Sequence, residues 1–415
     1  MERNIAISDS PSNFIATKEV TVIAPINIAI IKYWGKRDED LVLPLNDSIS
    51  VNINELYAKT RVRVGPQIEK DTVSINGKVV DLSKLNRFRR CFAVSLFRKT
   101  AGCRVKSCFG ANKGRKGEGC WGFERQRVGA KVREPKVVST TNFPTDAGLA
   151  SSAAGFAAIA FAMGRLYNLN KDEIERIARL GSGSSCRSLL GGFIHWKAGT
   201  CADGSDCCCE VVAPTEHWST LRAMILVTSN NSKDVGSTDG MRKSTQTSEL
   251  LSHRVKEVVP KRVSRLLEAI KSRNFEDFAT ITMAESNQLH AICMDTMPPL
   301  RYMNKNSWHL LRIMEALNTS IGSKCVAYTF DAGPNCCLFF ERDSMLRVLT
   351  ALLKYCRLST SLIDKVATSV AEEWLDLRNE VVALQDSITL EGVEQMEHVV
   401  EDVILSHVGA EPRVI

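Results

Sequence analysis

Branched apolar residues dominate Val20 to Ile31, the pattern of a strand covered on both faces, and Pro25 is its one residue with no N–H to donate. Asp47 to Ile53 alternates apolar and polar positions and predicts a half-buried strand; Thr60 to Val64 and Thr72 to Ile75 predict two more. Asn76-Gly77 follows as a hairpin signal. Leu82 to Leu96 has helical spacing. Lys136 to Thr140 returns to strand character and feeds a polar turn that opens a long helix of small residues, Leu149 to Tyr167. Lys171 to Leu180 predicts an amphipathic helix, Gly181 to Ser185 a flexible turn, and Leu189 to Trp196 a strand. Beyond a loop or boundary at Cys201 to Cys209, Leu221 to Thr228 reads as a buried strand. Helical patterns cover Ser248 to Ser286 and Ser307 to Thr319. Val326 to Phe330 and Cys336 to Phe340 are short strands around Asp331-Ala332-Gly333-Pro334-Asn335, and a helix (Ser344 to Tyr355) and a strand (Val403 to His407) complete the pattern. A strand-rich first half followed by mixed helix and strand predicts an α+β protein in two domains, 20–200 and 210–415, behind an extension over 1–19.

Composition changes this picture in three places. The net charge of +7 conceals a block from Arg87 to Arg133 with fourteen Lys or Arg against two Glu, so the remainder is net acidic by about five charges. Within it, Arg98 to Arg133 has neither helical nor strand period. A basic block with Trp121 and phenylalanines could bind nucleic acid, but no nucleic-acid module is recognisable, and a solvated insertion over 92–134 is the expected reading. From Ala147 to Gly164 eighteen residues carry no charge, the length of a membrane span. Ala, Ser and Gly gain little from lipid, so a helix packed closely on a sheet is expected, with no membrane contact. Fourteen cysteines, with no basic-then-apolar leader pattern in Met1 to Ser12, predict free thiols in a reducing, cytoplasmic setting. Cys201 with Cys207-Cys208-Cys209 lacks a facing Cys-x2-Cys pair, so a surface loop is expected rather than a zinc site.

The candidate chemistry starts at Pro144-Thr145-Asp146-Ala147-Gly148-Leu149-Ala150-Ser151-Ser152-Ala153-Ala154-Gly155. Small side chains leave the first-turn N–H groups of a helix bare, and bare donors at the positive end of a helix dipole attract phosphate. The pattern is neither a Walker loop nor a dinucleotide fingerprint. Lys32, directly after a buried strand, offers a point charge to a phosphate or carboxylate. Ser182 to Arg187 offers hydroxyls and a guanidinium suited to a carboxylate, and Ser237-Thr238 a further hydroxyl-rich turn. Asp331, between apolar strands, requires a partner, and a lysine beside it would keep it ionised. Phosphate donors, cations and one carboxylate suit transfer of a phosphoryl group to a hydroxyl.

Taken together these segments resemble the diphosphomevalonate decarboxylase family of the GHMP kinase superfamily. The resemblance is carried by Ala24-Pro25-Ile26-Asn27-Ile28-Ala29 through Lys32-Tyr33-Trp34-Gly35-Lys36-Arg37-Asp38-Glu39, and by Asn142-Phe143-Pro144-Thr145 with Ala147 to Gly155. Ser182 to Arg187, Ser237-Thr238, His290-Ala291 with Met294-Asp295-Thr296 and Pro298-Pro299, and Tyr328 to Asn335 follow in family order. It implies a ribosomal-protein-S5-like, ATP-binding N-terminal domain and a ferredoxin-like α/β C-terminal domain, with the site in the cleft between them. It also implies ATP as co-substrate, Mg2+, a homodimer, and conversion of (R)-5-diphosphomevalonate to isopentenyl diphosphate with release of ADP, phosphate and carbon dioxide. By the same resemblance Asp331 orients or deprotonates the substrate 3-hydroxyl, Lys32 sits beside Asp331 and the transferred phosphate, and Arg187 holds the substrate carboxylate. Tyr33, Trp34, Gly35, Lys36, Arg87, Ser182, Gly183, Ser184, Ser185, Cys186, Ser237 and Thr238 bind substrate. Pro144, Gly148, Leu149, Ala150, Ser151, Ser152 and Ala153 hold ATP phosphates; no metal ligand is assigned.

Two departures from the family pattern stand out. Asp146 replaces the first alanine of a Pro-Thr-Ala-Ala-Gly loop. A carboxylate about 4 Å from a phosphate charge would cost about 4 kcal/mol at an effective dielectric near 20, so Asp146 is expected to point outward or cap the helix. The other departure is the irregular basic segment 92–134. A GHMP-type kinase that does not decarboxylate, and a nucleic-acid-binding protein using the basic block, are the alternative functions.

Overall fold

The computed structural model describes residues 17–68, 70–83, 85–100, 135–143, 151–229 and 233–415. The strands Lys18–Ile31 and Ser48–Val64 pair antiparallel along almost their whole length and form the spine of the first sheet. Alternation alone predicts two strands here, Asp47 to Ile53 and Thr60 to Val64; the structure makes them one strand of 17 residues. They join at a bulge, because Pro25 faces Tyr57 while Ile26 faces Ile53. The extra residues bow out beside the one position of the partner strand that cannot donate to the ladder.

The two halves of Ser48–Val64 take different further neighbours. Ser48 to Val51 pairs with Phe193–Trp196, which pairs in turn with Cys209–Ala213. Ala58 to Val64 pairs with Pro135–Thr141, beside which Thr72–Ile75 lies parallel. Thr72–Ile75 closes its own hairpin with Lys78–Val79 across Asn76 (φ 47°) and Gly77 (φ 80°), the left-handed pair that such a two-residue turn requires. At the opposite edge Arg413–Val414 returns from the end of the chain to pair with Val22 and Ile23.

Helix Ser151–Tyr167 lies on this sheet with Ala153, Ala154, Ala157, Ala158, Ala160 and Ala162 buried, so small residues serve close packing as expected. The next helix, Lys171–Gly181, approaches so closely that a Cβ on Gly164 would stand 2.4 Å from Ile174 Cδ1, and one on Gly181 would stand 2.1 Å from Phe156 Cδ1. Among the described residues no helix is long and apolar enough to cross a membrane.

The second sheet is antiparallel, in the order Ala327–Phe330, Cys336–Glu341, Leu221–Val227, Asp402–His407. Helices Phe275–Asp295, Lys305–Ile321 and Met345–Tyr355 contribute buried faces to its core. The two sheets share that core. Phe193 of the first stacks on Trp218 at 6.2 Å, and Trp218 meets Phe278, which meets Phe339 of the second. This mixed helix-and-sheet architecture is the α+β arrangement expected.

Several sequence readings need correction. Gly181 to Ser185 is not a flexible turn: Gly183–Leu189 is a 3-10 helix whose Ser185, Cys186, Arg187 and Ser188 are all buried. The Cys201 to Cys209 stretch is only partly a surface loop, because Cys207 and Cys209 pack with Trp196 and Cys186 in a small apolar cluster. The helical patterns over Ser248 to Ser286 are interrupted by a π-helical turn, Arg254–Val258, and by the left-handed Arg273 (φ 55°). Helices Thr360–Ser369 and Leu377–Leu384 and the strands Lys36–Asp38 and Leu43–Pro44 lie outside the elements expected from the sequence; the two strands are too short for a period to register.

Phe278 is fully buried where the two sheets meet. Phe278→Ala is expected to destabilise the protein by about 3–5 kcal/mol, read as a lower urea midpoint, because the cavity lies in the shared core.

Candidate active site

The first strand stops pairing at Ile31, opposite Ile49, and Lys32 follows immediately. Its backbone groups, released from the ladder, find other partners. The Lys32 N–H donates to Glu285 Oε2 at 2.9 Å, and its carbonyl accepts from Arg254 Nη2 at 3.1 Å and Asn46 Nδ2 at 3.2 Å. The side chain crosses to the second sheet, where Lys32 Nζ donates to Asp331 Oδ1 at 2.5 Å. Lys32 is 2% exposed and Asp331 28%, so the ammonium is interior and the carboxylate is partly open to solvent. An ammonium this deep is tolerated only with a close anionic partner.

Asp331 sits in the turn between Ala327–Phe330 and Cys336–Glu341, and neighbours on both sides hold that turn. The Phe330 N–H donates to Ser286 Oγ at 2.9 Å, and the Gly333 N–H to the Asp331 carbonyl at 2.8 Å. Asn335 Oδ1 accepts from the N–H groups of Thr228 (2.8 Å) and Ser229 (3.2 Å), tying the far end of the turn to the central strand.

Arg187 reaches the same region from the buried 3-10 helix. Its Nε donates to Asn27 Oδ1 at 3.0 Å and its Nη1 to Ser48 Oγ at 2.6 Å, with the guanidinium 5.7 Å from the Trp196 ring centroid. Asn27 is itself fixed, donating to Ser188 Oγ and the Ser184 carbonyl. Burial pushes the Arg187 pKa down, but the cation persists because guanidinium starts so high; Asp331 lies close enough to support it. Two of its five N–H groups are taken by these protein partners, which leaves a fork for an incoming carboxylate.

Beside it Tyr33 packs edge-on to Trp196 at 4.9 Å, and its buried hydroxyl has no partner among the described residues. Burial raises its pKa, so it remains a neutral donor, and a buried donor of this kind calls for an acceptor. Gly183 makes room for it: a Cβ there would stand 2.7 Å from Tyr33 Oη. Ser152 Oγ at the start of the small-residue helix lies 3.2 Å from Ser182 Oγ, which lies 3.5 Å from Ser184 Oγ. The helix start and the 3-10 helix thus present one line of hydroxyls.

Other expected site residues have different surroundings. Ser185 Oγ is spent on the Ala178 and Ser182 carbonyls, and Cys186 Sγ on the Gly183 carbonyl. Trp34 is buried with its indole N–H donated to Ser244 Oγ at 2.9 Å, and Gly35 (φ 98°) faces Leu45. Lys36 pairs with Glu39, and Arg87 lies over the Phe156 ring at 5.2 Å. Ser237 opens a helix and accepts from Lys233 Nζ at 3.0 Å; Lys233 also donates to the Ala332 carbonyl, beside Asp331. Thr238 is exposed, Ser151 begins its helix half-buried, and Ala153 is buried. Pro144, Asp146, Gly148, Leu149 and Ala150 lie outside the described residues, as does the basic stretch 101–134.

Sequence reasoning assigned no role to Asn27, Ser48, Arg254, Glu285 or His290. Asn27 and Ser48 could have been found as polar residues in otherwise apolar strand positions. Arg254 is one of several charges in its helical stretch and Glu285 a lone charge in the middle of its own, and neither carries a local signal.

Two family models match the chain: a diphosphomevalonate decarboxylase-like N-terminal domain over residues 24–209, and a mevalonate 5-diphosphate decarboxylase C-terminal domain over residues 223–415. The human diphosphomevalonate decarboxylase is 42% identical over 335 residues, spanning 80% of this chain and 79% of its own length. The solved mevalonate diphosphate decarboxylase from Trypanosoma brucei is 33% identical, with a TM-score of 0.78 over 96% of this chain and 98% of that one. A further structure, MDDEF in complex with MVAPP, AMPPCP and magnesium, aligns at 25% identity and a TM-score of 0.66, covering 96% and 99% of the two chains.

His290, 8% exposed, packs edge-on to Phe330 with no partner for Nε2 among the described residues. Burial, and then the Lys32 charge, push its pKa from 6.5 down to about 4, with Asp331 opposing. Between those values the unfolded chain binds more protons than the folded one, so stability falls as pH drops through that window. Going from pH 7 to pH 5 is expected to remove about 2 kcal/mol through this group, and His290→Gln to lose correspondingly less; urea titrations of both proteins at the two pH values check it.

Proposed function

The chain belongs to the diphosphomevalonate decarboxylase family, and from that premise we propose that it converts (R)-5-diphosphomevalonate to isopentenyl diphosphate, consuming ATP and releasing ADP, phosphate and carbon dioxide. The observation that carries this reading is the 2.5 Å Lys32–Asp331 pair with the buried Arg187 guanidinium in the same region. A kinase acting on a hydroxyl needs the first two; a substrate that also loses a carboxylate needs that group held beside them.

Asp331, paired with Lys32, accepts the hydrogen bond of the substrate's tertiary 3-hydroxyl and takes its proton as the oxygen bonds to the γ-phosphorus of ATP and the bond to ADP breaks; the proton then passes to an oxygen of the transferred phosphoryl group, which returns Asp331 to the carboxylate form. Lys32 neutralises charge on the transferred group, where positioning and electrostatics supply most of the rate. Phosphorylation turns a poor leaving group into a good one. As phosphate departs, positive charge builds on the tertiary carbon, and the Asp331 carboxylate stabilises it. The electrons of the carboxylate–carbon bond then close the alkene as carbon dioxide leaves. Arg187 holds that carboxylate in line while Asn27 and Ser48 fix the guanidinium. A bidentate grip positions the group, yet its strength must stay moderate, because charge held on the carboxylate opposes the loss.

Tyr33, Ser182 and Ser184 meet the diphosphate in this reading, and Ser151 and Ser152 the ATP phosphates. Among the described residues no group of three or more His, Cys, Asp or Glu is arranged to hold a metal. The serine hydroxyls with phosphate oxygens are a donor set of the kind Mg2+ accepts, and bound magnesium would supply charge neutralisation at the β- and γ-phosphates. The same proposal includes the division into domains 20–200 and 210–415, a homodimer and a cytoplasmic setting, on family membership alone.

Carbon dioxide release from carboxyl-labelled substrate tests the reading. Wild type is expected to release it only with ATP, and Asp331→Asn to be slower by about 10²–10⁴-fold, the range of a positioned acid–base group; ADP formed without carbon dioxide would instead mark a simple kinase. Gly183→Ala is expected to push the Tyr33 hydroxyl aside and raise KM for diphosphomevalonate about 10- to 10²-fold with little change in kcat, the loss of one hydrogen bond to a charged group.

A further inference from the structure

Behind Lys32 lies an ion pair with no solvent access. Arg254 and Glu285 are each 0% exposed and meet at 2.5 Å. Arg254 Nη1 also donates to Glu285 Oε1 at 2.8 Å, and Arg262 Nη1 joins the same oxygen at 2.7 Å. Gln288 Oε1 accepts from both arginines. Two opposed effects act on Glu285: burial raises its pKa, while Arg254, Arg262 and the Lys32 N–H lower it, and the net shift is downward, so it stays a carboxylate.

Both members of the pair hold the backbone of one residue. Glu285 Oε2 accepts from the Lys32 N–H and Arg254 Nη2 donates to the Lys32 carbonyl, so the pair extends the hydrogen-bonded ladder of the first strand by one residue with side chains of the second half of the chain. Arg254 is the first residue of the π-helical turn Arg254–Val258, a widened turn of a kind frequent at functional sites. A buried ion pair is a poor source of stability, since desolvating two charges offsets most of their attraction and an apolar pair often does as well. A pair with both charges fully buried therefore points to a geometric task.

We propose that the Arg254–Glu285 pair is a positioning device that clamps the Lys32 backbone and so sets where the ammonium meets Asp331 and the transferred phosphate. This rests on the functional reading above. Neither residue touches substrate in it; both act through Lys32. The clamp also makes the lysine's position depend on the π-helical turn Arg254–Val258 and helix Phe275–Asp295, so the two halves of the chain must be docked for the site to be complete.

The experiment replaces the pair by an apolar one. Arg254→Met with Glu285→Leu removes both buried charges together and is expected to melt within a few degrees of wild type. Its kcat per active site, counted by ATP-analogue binding, is expected to fall about 10²-fold, the effect of a displacement near 1 Å at reacting groups, with both KM values within threefold. Arg254→Lys, which keeps the charge but loses the two-point grip, is expected to fall less. If the double variant fails to fold, Arg254→Lys carries the same test: wild-type kcat in it overturns the clamp. In a Lys32→Met background the double substitution is expected to cost no more than threefold further, because residues acting through one group are not additive. Wild-type kcat in a stable double variant, or multiplying losses in that background, overturns the proposal. Wild-type kcat in Lys32→Met alone instead refutes the reading of the site on which it rests.

Discussion

An ammonium with almost no solvent around it makes the architecture answerable to one contact. Lys32 enters the interior at the end of the first strand, and Asp331 is the anion that makes this tolerable. The two residues belong to different sheets, so the pair forms only when the sheets are packed on their common core of Phe193, Trp218, Phe278 and Phe339. Apolar burial supplies the force that docks the halves, and the ion pair demands one particular docking. The reacting groups of a phosphoryl-transfer site are thereby assembled from parts that are incomplete alone.

Around that contact the polar residues are arranged in support rather than in display. Asn27 and Ser48 direct Arg187; Ser286 and Asn335 hold the Asp331 turn; Arg254, Glu285 and Asn46 hold the Lys32 backbone. Each is buried, and each makes a hydrogen bond to a neighbour whose position matters to chemistry. The Tyr33 hydroxyl is the contrasting case, a buried donor facing the Gly183 gap with no partner among the described residues, as a phosphate-binding group would be.

Much of this was legible from local pattern. The Asn76-Gly77 hairpin follows from two residues able to take positive φ. The small-residue helix at Ser151–Tyr167 follows from its composition, and Asp331 stood out as an acid between apolar strands. Local pattern failed where a partner overrode it. Gly181 to Ser185 reads as a flexible glycine-serine turn, yet Gly183–Leu189 is a buried 3-10 helix, because Asn27 and Ser48 from the first sheet bind its polar groups. Asp47 to Ile53 and Thr60 to Val64 read as separate strands, because the bulge that joins them is imposed by Pro25 on the neighbouring strand.

The sequence by itself determined the order of elements, the α+β class and the family, since periodicity, turn chemistry and contiguous motifs are properties of neighbouring residues. The family motifs also pair Lys32 with Asp331 across 299 positions, but only the tertiary structure decided which polar groups hold them: Lys32 finds Glu285 across 253 positions, and nothing near either in the chain marks the other. Such pairings are chosen by burial: once apolar faces close, every enclosed charge must find a partner, and which partner is at hand depends on how the sheets and helices pack.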